Sequence, residues 1–299
     1  MPGIEIILLS YDDVTPQNVT SFRRAAAERN IALQEWIPHR ISLWLAEGNA
    51  EPRYENSPRL PRVIIHRTGS RLRGIIAPAL RLWQNGGTVI LNDFSAAAQS
   101  RDKLATALRL MEAGLPTVPS MAFFPWEGMD FGCLPPGGTI VKPAHGLQGR
   151  DVSYFATREQ AEASARTIQW GHNREIISEH SLAQPAVGRV GEDLRAYVVD
   201  GVCVALARRV ASDPVEVRAN LALGAVAKPL ALDHPAASLA VAATKAMGLD
   251  YAGVDMVEDA AGGRQILEVD GWAGFAGLEQ ATGADIAGHI LDMALERLG

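Results

Sequence analysis

The feature that most constrains the fold is a pair of apolar runs near the end of the chain, residues 252–256 and 266–271, joined by the polar segment 258–264. Short apolar runs on either side of a glycine-containing turn are typical of a β-hairpin. Val254 and Val269 supply the side of that hairpin that faces a core. We therefore expect two antiparallel strands with one apolar face.

The same two runs carry three acidic residues. Side chains two residues apart on a strand point to the same face, which places Glu268 beside Asp270. If the hairpin folds symmetrically about Ala261 and Gly262, Asp255 lies opposite Glu268. Carboxylates this close repel one another unless a cation compensates, and all-oxygen ligands favour Mg²⁺ or Mn²⁺. A solvated acidic face is the alternative that this pattern alone leaves open.

Composition narrows the class of protein. The chain has 299 residues, of which 47% are hydrophobic and 21% charged, as in an ordinary globular enzyme. Its net charge of −6 argues against a nucleic-acid-binding surface. Cys133 and Cys203 match neither a metal-ligand spacing nor a disulfide framework. We see no signal peptide and no apolar run near the roughly 20 residues that span a bilayer, so we expect a cytoplasmic protein without membrane contact.

Strands alternate with helices over about the first 90 residues, a pattern that predicts an open parallel sheet. Residues 42–60 are rich in proline, asparagine and charge, and we expect a loop or insertion there. Strands dominate again after about residue 193, where two helices interrupt them.

A glycine turn at residues 146–149 joins two short predicted strands. Gly146 and Gly149 allow backbone N–H groups to approach an anion, and Lys142 adds a point charge suited to phosphate. The segment is not a Walker loop, because it lacks Gly-Lys-Ser/Thr and no helix follows it. Taken alone, a hairpin with one basic residue explains it more simply than a phosphate site.

Other polar side chains also admit two interpretations. Arg195 lies two residues after Asp193 and faces the same side of its strand, and Arg208 closes the next strand. A surface salt-bridge network would explain these residues. Alternatively, Arg195 or Arg208 clamps a phosphoryl group or an oxyanion, and Asn220 offers a neutral oxygen to a cation. Lys103, at the head of a predicted helix, would by itself be an ordinary solvated lysine.

In chain order, these segments resemble the ATP-grasp superfamily, and most of all its RimK-type glutamate-ligase branch. The segments are 101–103, 141–149, 178–180, 193–195, 218–221, 253–255, 268–270 and 282–286. The resemblance covers roughly residues 63 to 299, and His66-Arg67-Thr68-Gly69 is similar to that branch's Pro-Arg-Ile-Gly. No single segment is specific, but their shared order is.

The resemblance implies an ATP-grasp fold in three parts. An N-terminal parallel α/β domain would occupy residues 1–97. A central α+β subdomain, 98–182, would carry the glycine-rich phosphate loop, and a C-terminal α+β subdomain, 183–299, the metal site. ATP would lie between the two subdomains.

The resemblance also implies roles by position. The residues that would bind ATP are Lys103, Lys142, Gly146, Gln148, Gly149, Glu179, His180 and Asn220. The residues that would hold one or two Mg²⁺ or Mn²⁺ ions are Asp255, Glu268 and Asp270. Arg195 and Arg208 are the candidate catalytic residues.

The chain departs from the branch at three places. Asp270 stands where the branch has Asn, which adds negative charge to the metal site. Trp272-Ala273-Gly274 replaces Ser-Pro-Gly, and the sequence at 220–225 lacks a basic residue of the branch's Asn-Leu-His-Arg-Gly-Gly. The last two changes fall where the acceptor or donor would bind, so they bear on substrate choice.

The implied activity is an ATP- and Mg²⁺-dependent carboxylate–amine ligase that works through an acyl phosphate. It would add an amino acid such as glutamate to a small metabolite, a cofactor or a peptide. A small-molecule kinase on the same scaffold and a non-catalytic ATP-binding regulatory protein are the alternatives. Expected partners are small-molecule carboxylates and amines, with no nucleic acid or membrane, and the branch often forms dimers or tetramers.

Overall fold

The computed structural model describes residues 5–11, 16–69, 73–124, 130–145, 152–165, 180–213, 216–219, 221 and 224–299. Some of the predicted nucleotide-binding residues lie outside these ranges, namely Gly146, Gln148, Gly149, Glu179 and Asn220. The boundaries proposed at residues 97 and 182 stay predictions.

The N-terminal part of the chain forms a parallel sheet flanked by helices. Its elements are β1 (Glu5–Ser10), α1 (Pro16–Glu28), β2 (Ala32–Trp36), a 3₁₀ turn (Pro38–Arg40), β3 (Ile41–Ala46), β4 (Asn49–Tyr54), β5 (Ser57–Pro58), β6 (Val63–Arg67), α2 (Arg73–Asn85), β7 (Val89–Leu91) and α3 (Phe94–Gln99). The parallel strands lie in the order β2-β1-β6-β7. The central strands β1 and β6 are buried almost throughout, as parallel strands between helices are.

Of the two alternatives expected at residues 42–60, a loop or an insertion, the loop is wrong. β3, β4 and β5 form a small antiparallel sheet there. Its two turns place Glu47-Gly48 and Glu55-Asn56 at positive φ, the conformation that two-residue hairpin turns require. The polar composition of this segment suggested a loop. Its two tight turns, with residues at positive φ, instead allow the chain to form paired strands.

The central part forms a second, antiparallel sheet. Its elements are α4 (Lys103–Glu112), β8 (Met121–Phe123), β9 (Thr139–Pro143), β10 (Ser153–Phe155), α5 (Arg158–Ala165) and β11 (Ser181–Pro185). The strands lie in the order β10-β9-β11-β8. Asp102 caps α4, since its Oδ1 accepts from the backbone N–H of Leu104 and of Ala105 at 2.9 and 3.1 Å. That cap fixes the start of α4 and therefore the position of Lys103, its first residue.

The C-terminal part is a five-stranded antiparallel sheet in the order β14-β13-β12-β15-β16. Its elements are β12 (Glu192–Val199), β13 (Val202–Val210), β14 (Val226–Pro229), α6 (Pro235–Ala246), β15 (Tyr251–Glu258), β16 (Arg264–Asp270), α7 (Ala276–Thr282) and α8 (Ile286–Glu296). The hairpin predicted at the end of the chain is β15 and β16.

The two faces of this sheet have different neighbours. On one face, Ala196 and Val254 pack with the alanine-rich side of α6. On the other face, Tyr197 and Tyr251 pack with α8 and with the N-terminal sheet. The second face therefore joins the C-terminal sheet to the N-terminal sheet. The charged residues of the candidate active site lie farther along the same face.

Asn92 fixes that junction. Its side-chain amide donates to the carbonyls of Tyr251 and Gly271 at 2.9 and 3.0 Å and accepts from the N–H groups of Asp250 and Tyr251 at 2.7 and 2.9 Å. A fully buried amide with all these bonds satisfied holds the hairpin base in one position against β7. Within the ranges that are described, no helix has the length and apolar character needed to cross a membrane.

Candidate active site

The hairpin register places the acidic residues as predicted. Asp255 pairs with Glu268, and Gly253 pairs with Asp270, across β15 and β16. Residues that pair across a sheet point to the same face, so the three carboxylates share one face. On the neighbouring strand β12, Arg195 pairs with Asp255 and therefore shares that face as well. The predicted pairing of Asp255 with Glu268 is confirmed.

Two arginines hold Asp255. Arg195 Nη1 donates to Asp255 Oδ1 at 2.7 Å, and Arg209 Nη2 donates to the same oxygen at 3.0 Å. Arg209 also forms a bidentate pair with Asp193 at 2.7 and 2.6 Å. We call these four side chains the Arg209 network. Each of them is at most 17% exposed, so the charges interact with little solvent screening.

Burial raises the pKa of both Asp255 and Asp193, whereas ion pairing with arginine lowers it. Burial alone would raise the pKa of the Asp255 carboxyl, but Arg195 and Arg209 outweigh it and hold that pKa below its usual range. Burial raises the pKa of Asp193 to about 6, against the pull of Arg209 and with the help of the nearby Asp255 charge. Asp255 is therefore the carboxylate that stays ionised most firmly.

Basic residues also approach the other two carboxylates. Arg101 Nη1 lies 2.6 Å from Asp270 Oδ2, and Lys103 Nζ lies 3.9 Å from Glu268 Oε1. Asp270 Oδ1 accepts the backbone N–H of Trp272 at 2.9 Å. Every carboxylate of the predicted metal set thus has a cationic neighbour.

Lys142 is the most unusual cation of the site. It lies on β9 and is only 8% exposed. Burial, together with the nearby Lys103 charge, lowers the pKa of its ammonium to about 8, although Glu268 and Asp255 act in the opposite direction. The backbone N–H of Lys103 donates to the carbonyl of Ala144 at 3.2 Å, which ties α4 to the end of β9. The two lysines and the acidic face therefore meet in one place.

The predicted metal ligands fit Mg²⁺ by chemistry and by register but are not already arranged around an ion. Across the described parts of the chain, no three Asp, Glu, His or Cys side chains are spaced to hold a metal. Carboxylate oxygens are nonetheless the ligands that Mg²⁺ prefers, and Asp255, Glu268 and Asp270 offer them from one face. An ion held there would replace Arg and Lys as the neighbouring positive charge.

Arg208 does not join this group, contrary to the expectation that it lines the cleft. It pairs with Leu194 and lies on the opposite face, where it contacts Glu192 and Glu258. A β-bulge between Tyr197 and Val198 shifts the register by one residue, which brings Arg209 to the side of Asp193. Arg209 was not among the predicted site residues, because two adjacent arginines in a sequence give no sign of which one faces the site.

His180 lies at the edge of the central sheet, between two aromatic neighbours. Its ring centroid is 5.9 Å from that of His145 and 6.1 Å from that of Phe124. Its backbone carbonyl accepts from the N–H of Ala144 at 3.0 Å, and its buried Nε2 has no hydrogen-bond partner among the residues that the structure describes. The structure thus connects His180 to the strand that carries Lys142.

The comparisons with known proteins agree with this geometry. A family model described as a RimK-like ATP-grasp domain matches residues 135–294. The chain is 33% identical over 222 residues to a probable alpha-L-glutamate ligase of Shewanella halifaxensis, covering 73% of this chain and 47% of that protein. The chain therefore spans about half the length of this relative.

A second relative matches over almost its whole length. The chain is 30% identical over 292 residues to the ribosomal protein bS6–L-glutamate ligase of Salmonella paratyphi B, covering 96% of this chain and 94% of that protein. Among solved structures, the ATP-grasp ligase PsnB complexed with a minimal precursor has a TM-score of 0.73 at 20% identity, covering 99% of this chain and 100% of that chain. The likeness to PsnB confirms the predicted fold. The family model and the bS6–L-glutamate ligase together show that the chain belongs to the RimK-like ATP-grasp family.

Proposed function

We propose that this chain is an ATP- and Mg²⁺-dependent carboxylate–amine ligase that adds an amino acid such as glutamate to a small metabolite, a cofactor or a peptide. One observation carries the proposal: buried Lys142 and its neighbour Lys103 face a sheet surface with three carboxylates. A buried lysine pair repels itself unless an anion lies between or beside it. The polyphosphate of a nucleotide is such an anion.

The chemistry follows from the weakness of a carboxylate as an electrophile. Transfer of the γ-phosphoryl group of ATP onto that carboxylate gives an acyl phosphate with a good leaving group. An amine then attacks the acyl carbon, and the products are an amide, ADP and phosphate. Catalysis of this kind needs positioning and charge neutralisation more than a covalent nucleophile.

Each charged group has a role in that reaction. Lys142 and Lys103 would neutralise the phosphates, and Lys142 would do so strongly because it is already shielded from water. Arg195, released in part from Asp255, would stabilise the transferring phosphoryl group. Asp255, Glu268 and Asp270 would hold one or two Mg²⁺ ions, which supply Lewis-acid polarisation of the phosphates when bound.

Residues outside the described ranges, together with His180, complete the proposal. Gly146, Gln148 and Gly149 would close over the phosphates, and Glu179 with the backbone of His180 would contact adenine. Asn220 would add a neutral oxygen to the metal site. The three-part division at residues 97 and 182 belongs to the same proposal.

The first test measures nucleotide binding, which requires no knowledge of the substrates. We expect Lys142→Gln to weaken Mg²⁺·ADP binding by at least roughly 30-fold in calorimetry, because a charge-assisted contact in a dry site is lost. Lys228→Gln makes the same chemical change on exposed β14 and is the matched control. Equal affinities in the two variants would remove Lys142 from the site.

The second test measures turnover over a panel of carboxylic acids and amines that includes L-glutamate. We expect ADP release only when an acid and an amine are both present, with an amide product in mass spectra. ADP release with a phosphorylated product and no requirement for an amine would indicate a kinase. Mg²⁺·ADP binding without turnover across the whole panel would indicate a regulatory protein.

A further inference from the structure

The small antiparallel sheet in the N-terminal part of the chain has two edges, and only one of them is protected against pairing with another strand. At one edge, β5 has two residues, of which the second is Pro58. At the other edge, β3 has six residues without a charge, a proline or a register shift. Short length, proline and charge are the usual means by which an edge strand avoids further pairing, and β3 has none of them.

The pairing of β3 with β4 shows which of its peptide groups point away from the sheet. Leu43 lies opposite Pro52, and this pair has no ladder hydrogen bonds because proline lacks an N–H. Since bonded and non-bonded pairs alternate, the peptide groups of Ile41, Leu43 and Leu45 point outward. The N–H of Ile41 donates to the carbonyl of Pro38. Within the described ranges, the N–H and C=O groups of Leu43 and Leu45 have no partner.

The same strand exposes two large apolar side chains. Trp44 is 56% exposed and Leu45 is 70% exposed. Successive side chains point to opposite faces, so each face of the strand has one of them. Leu45 continues the row of Ile41 and Leu43, which pack in the core with α2. On the other face, the guanidinium carbon of Arg53 lies 5.3 Å from the centroid of the Trp44 ring. Exposed apolar side chains on an unpaired edge indicate a surface that another strand covers.

The charges at the two ends of β3 indicate which strand fits. Arg40 comes directly before the strand and Glu47 directly after it, and both are exposed. Arg40 contacts Glu55 of its own chain, but a guanidinium has donors for more than one carboxylate. A second copy of β3 in parallel orientation would bring like charges together. In antiparallel orientation, Arg40 of each copy lies beside Glu47 of the other, so the strand is complementary to itself.

Only one antiparallel register of two β3 strands satisfies all the outward-pointing groups. With Leu43 opposite Leu45 of the second copy, both symmetric pairs form two hydrogen bonds each. A shift in one direction places Leu45 opposite Ile41, whose N–H is already bonded to Pro38. A shift in the other direction places Leu43 opposite Glu47, which lies in the turn at positive φ. The geometry of the edge therefore selects its own register.

This register brings Trp44 opposite Trp44 of the second copy. The pair is of the non-bonded kind, in which the Cα atoms are about 4.5 Å apart and the side chains are closest. Aromatic pairs directly opposite each other are among the cross-strand pairs that stabilise a sheet. On the opposite face, Leu45 would contact Leu43 of the second copy and extend its apolar row.

We propose that β3 is an interface between two copies of this chain, which pair antiparallel about a two-fold axis at Trp44 and so join their small sheets into one. An interface of one six-residue strand from each copy is smaller than the roughly 1,200–2,000 Å² of a standard stable complex. We therefore expect a dissociation constant on the order of 1–100 µM and a dimer that separates on dilution. The interface is independent of the proposed function.

The first test is sedimentation of the full chain between about 1 and 200 µM, where we expect a change from monomer to dimer. Leu45→Pro removes an N–H that β4 does not use, as Pro52 does within β4, so the hairpin should keep its ladder. It should weaken the dimer by at least about tenfold, because each copy loses a hydrogen bond and its edge is blocked. Leu45→Val keeps the N–H and is the matched control, with an expected change below about threefold.

The second test uses the two-fold axis itself. Because Trp44 lies opposite its own copy, Trp44→Lys or Trp44→Glu places like charges directly opposite each other, and each variant alone should remain monomeric up to about 200 µM. An equimolar mixture of the two variants places opposite charges together and should again form dimers. Val202→Lys makes the same kind of change at an exposed apolar residue of β13 and should leave the dimer unchanged.

The outcomes decide both the surface and the register. A wild-type chain that stays monomeric at about 200 µM overturns the proposal, as does a dimer that survives Leu45→Pro and both Trp44 variants. If the two Trp44 variants melt near the wild-type temperature but do not associate when mixed, the two-fold axis at Trp44 is wrong. Should Leu45→Pro lower the melting temperature, the mixing experiment decides alone, because it leaves the backbone of β3 unchanged.

Discussion

Arg208 and Arg209 are neighbours in the chain, yet they belong to two ion-pair networks on opposite faces of one sheet. Arg208 contacts Glu192 and Glu258, each at 2.5 Å, and Arg264 also reaches Glu258 at 2.6 Å. We call these four side chains the Arg208 network. Arg209 belongs to the other network, with Asp193, Asp255 and Arg195. Residue types and distances are nearly the same in both.

The surroundings of the two networks differ. Arg208 is 30% exposed, and its network alternates acids and bases that satisfy one another at the rim of the sheet. Arg209 is 10% exposed, and its network adjoins Lys142 and Glu268. Ion pairs near solvent contribute little, whereas desolvated charges respond strongly to the loss or gain of a partner. The comparison teaches that burial and neighbouring lysines, rather than ion pairing itself, distinguish a candidate site from a salt-bridge network.

The largest expected effect is a difference in activity between variants of two carboxylates on the same hairpin. Glu268→Gln should reduce Mg²⁺-dependent ADP formation by roughly 100-fold or more, because a charged group on the proposed metal face is lost. Glu258→Gln changes the same residue type on the same hairpin, but in the Arg208 network, and should cost less than about threefold. Activity is measured as ADP release with the acid and amine found in the panel. Similar losses in both variants would mean that the two faces do not differ in function.

The next effect concerns stability. Arg209→Met leaves Asp193 and Asp255 without a shared partner in a buried place, and should lower the free energy of unfolding by about 3–5 kcal/mol. Arg208→Met removes a partly solvated partner and should cost about 1 kcal/mol or less. Urea denaturation of both variants measures the difference. The comparison breaks down if Arg208→Met is the more destabilising change.

These two arginines also mark the limit of inference from sequence. Counting back from the turn at Asp200-Gly201, a regular hairpin would pair Asp193 with Arg208. The bulge between Tyr197 and Val198 shifts the pairing, so that Asp193 faces Arg209 instead. A bulge depends on tertiary packing and leaves no signal in the alternation of residues, so the sequence could not show whether Arg208 or Arg209 faces Asp193.

In the hairpin at residues 251–270, by contrast, the pairing of the acidic residues was predicted correctly. Near its turn, Glu258 pairs with Arg264, one residue away from the symmetric folding assumed from the sequence. A register shift between Asp255 and Met256 then restores the pairing of Asp255 with Glu268. The acidic face was thus predicted correctly because the carboxylates lie beyond that shift.

Charge partners were the least predictable part of the site. The order of segments predicted the fold and the common face of Asp255, Glu268 and Asp270. It did not predict that basic side chains neighbour each of these carboxylates, because those contacts join β12, β13, α4 and Arg101, which precedes α4, to the hairpin. Likewise, the burial of Arg67 depends on packing between β6 and a loop roughly 200 residues later, as its bond to Ala273 shows.

A smaller effect is expected when pH changes the charge of Lys142, which adjoins the Arg209 network. Lys142 has a pKa near 8 in the nucleotide-free protein, so its positive charge is lost as pH rises above about 8. We expect affinity for Mg²⁺·ADP to fall by up to about tenfold per pH unit there, and Lys142→Arg to bind without that decline, since arginine stays charged. Calorimetry between pH 7 and pH 9.5 measures both curves. Parallel curves would show that another group controls binding.

Acid is expected to act oppositely on the stability contributions of the two networks. Asp193 has a pKa of about 6 in the folded protein and about 3.8 in the unfolded chain, so the folded state binds the proton more tightly. Asp193 therefore destabilises the folded protein above pH 6, and that cost is relieved as pH falls from about 6 toward 4. The pKa of Glu258 is instead lowered, chiefly by its bond to Arg208, so its contribution is present above pH 4.5 and is lost below it.

Two isosteric variants separate the contributions of Asp193 and Glu258 to stability in urea denaturation from pH 7 to pH 3.5. Asp193→Asn should remove the gain in stability between pH 6 and pH 4, because the amide does not titrate. Glu258→Gln should leave that gain intact and reduce the loss below pH 4.5. If Asp193→Asn keeps the wild-type slope between pH 6 and pH 4, then Arg209 compensates Asp193 as fully as Arg208 compensates Glu258, and burial does not set the two networks apart.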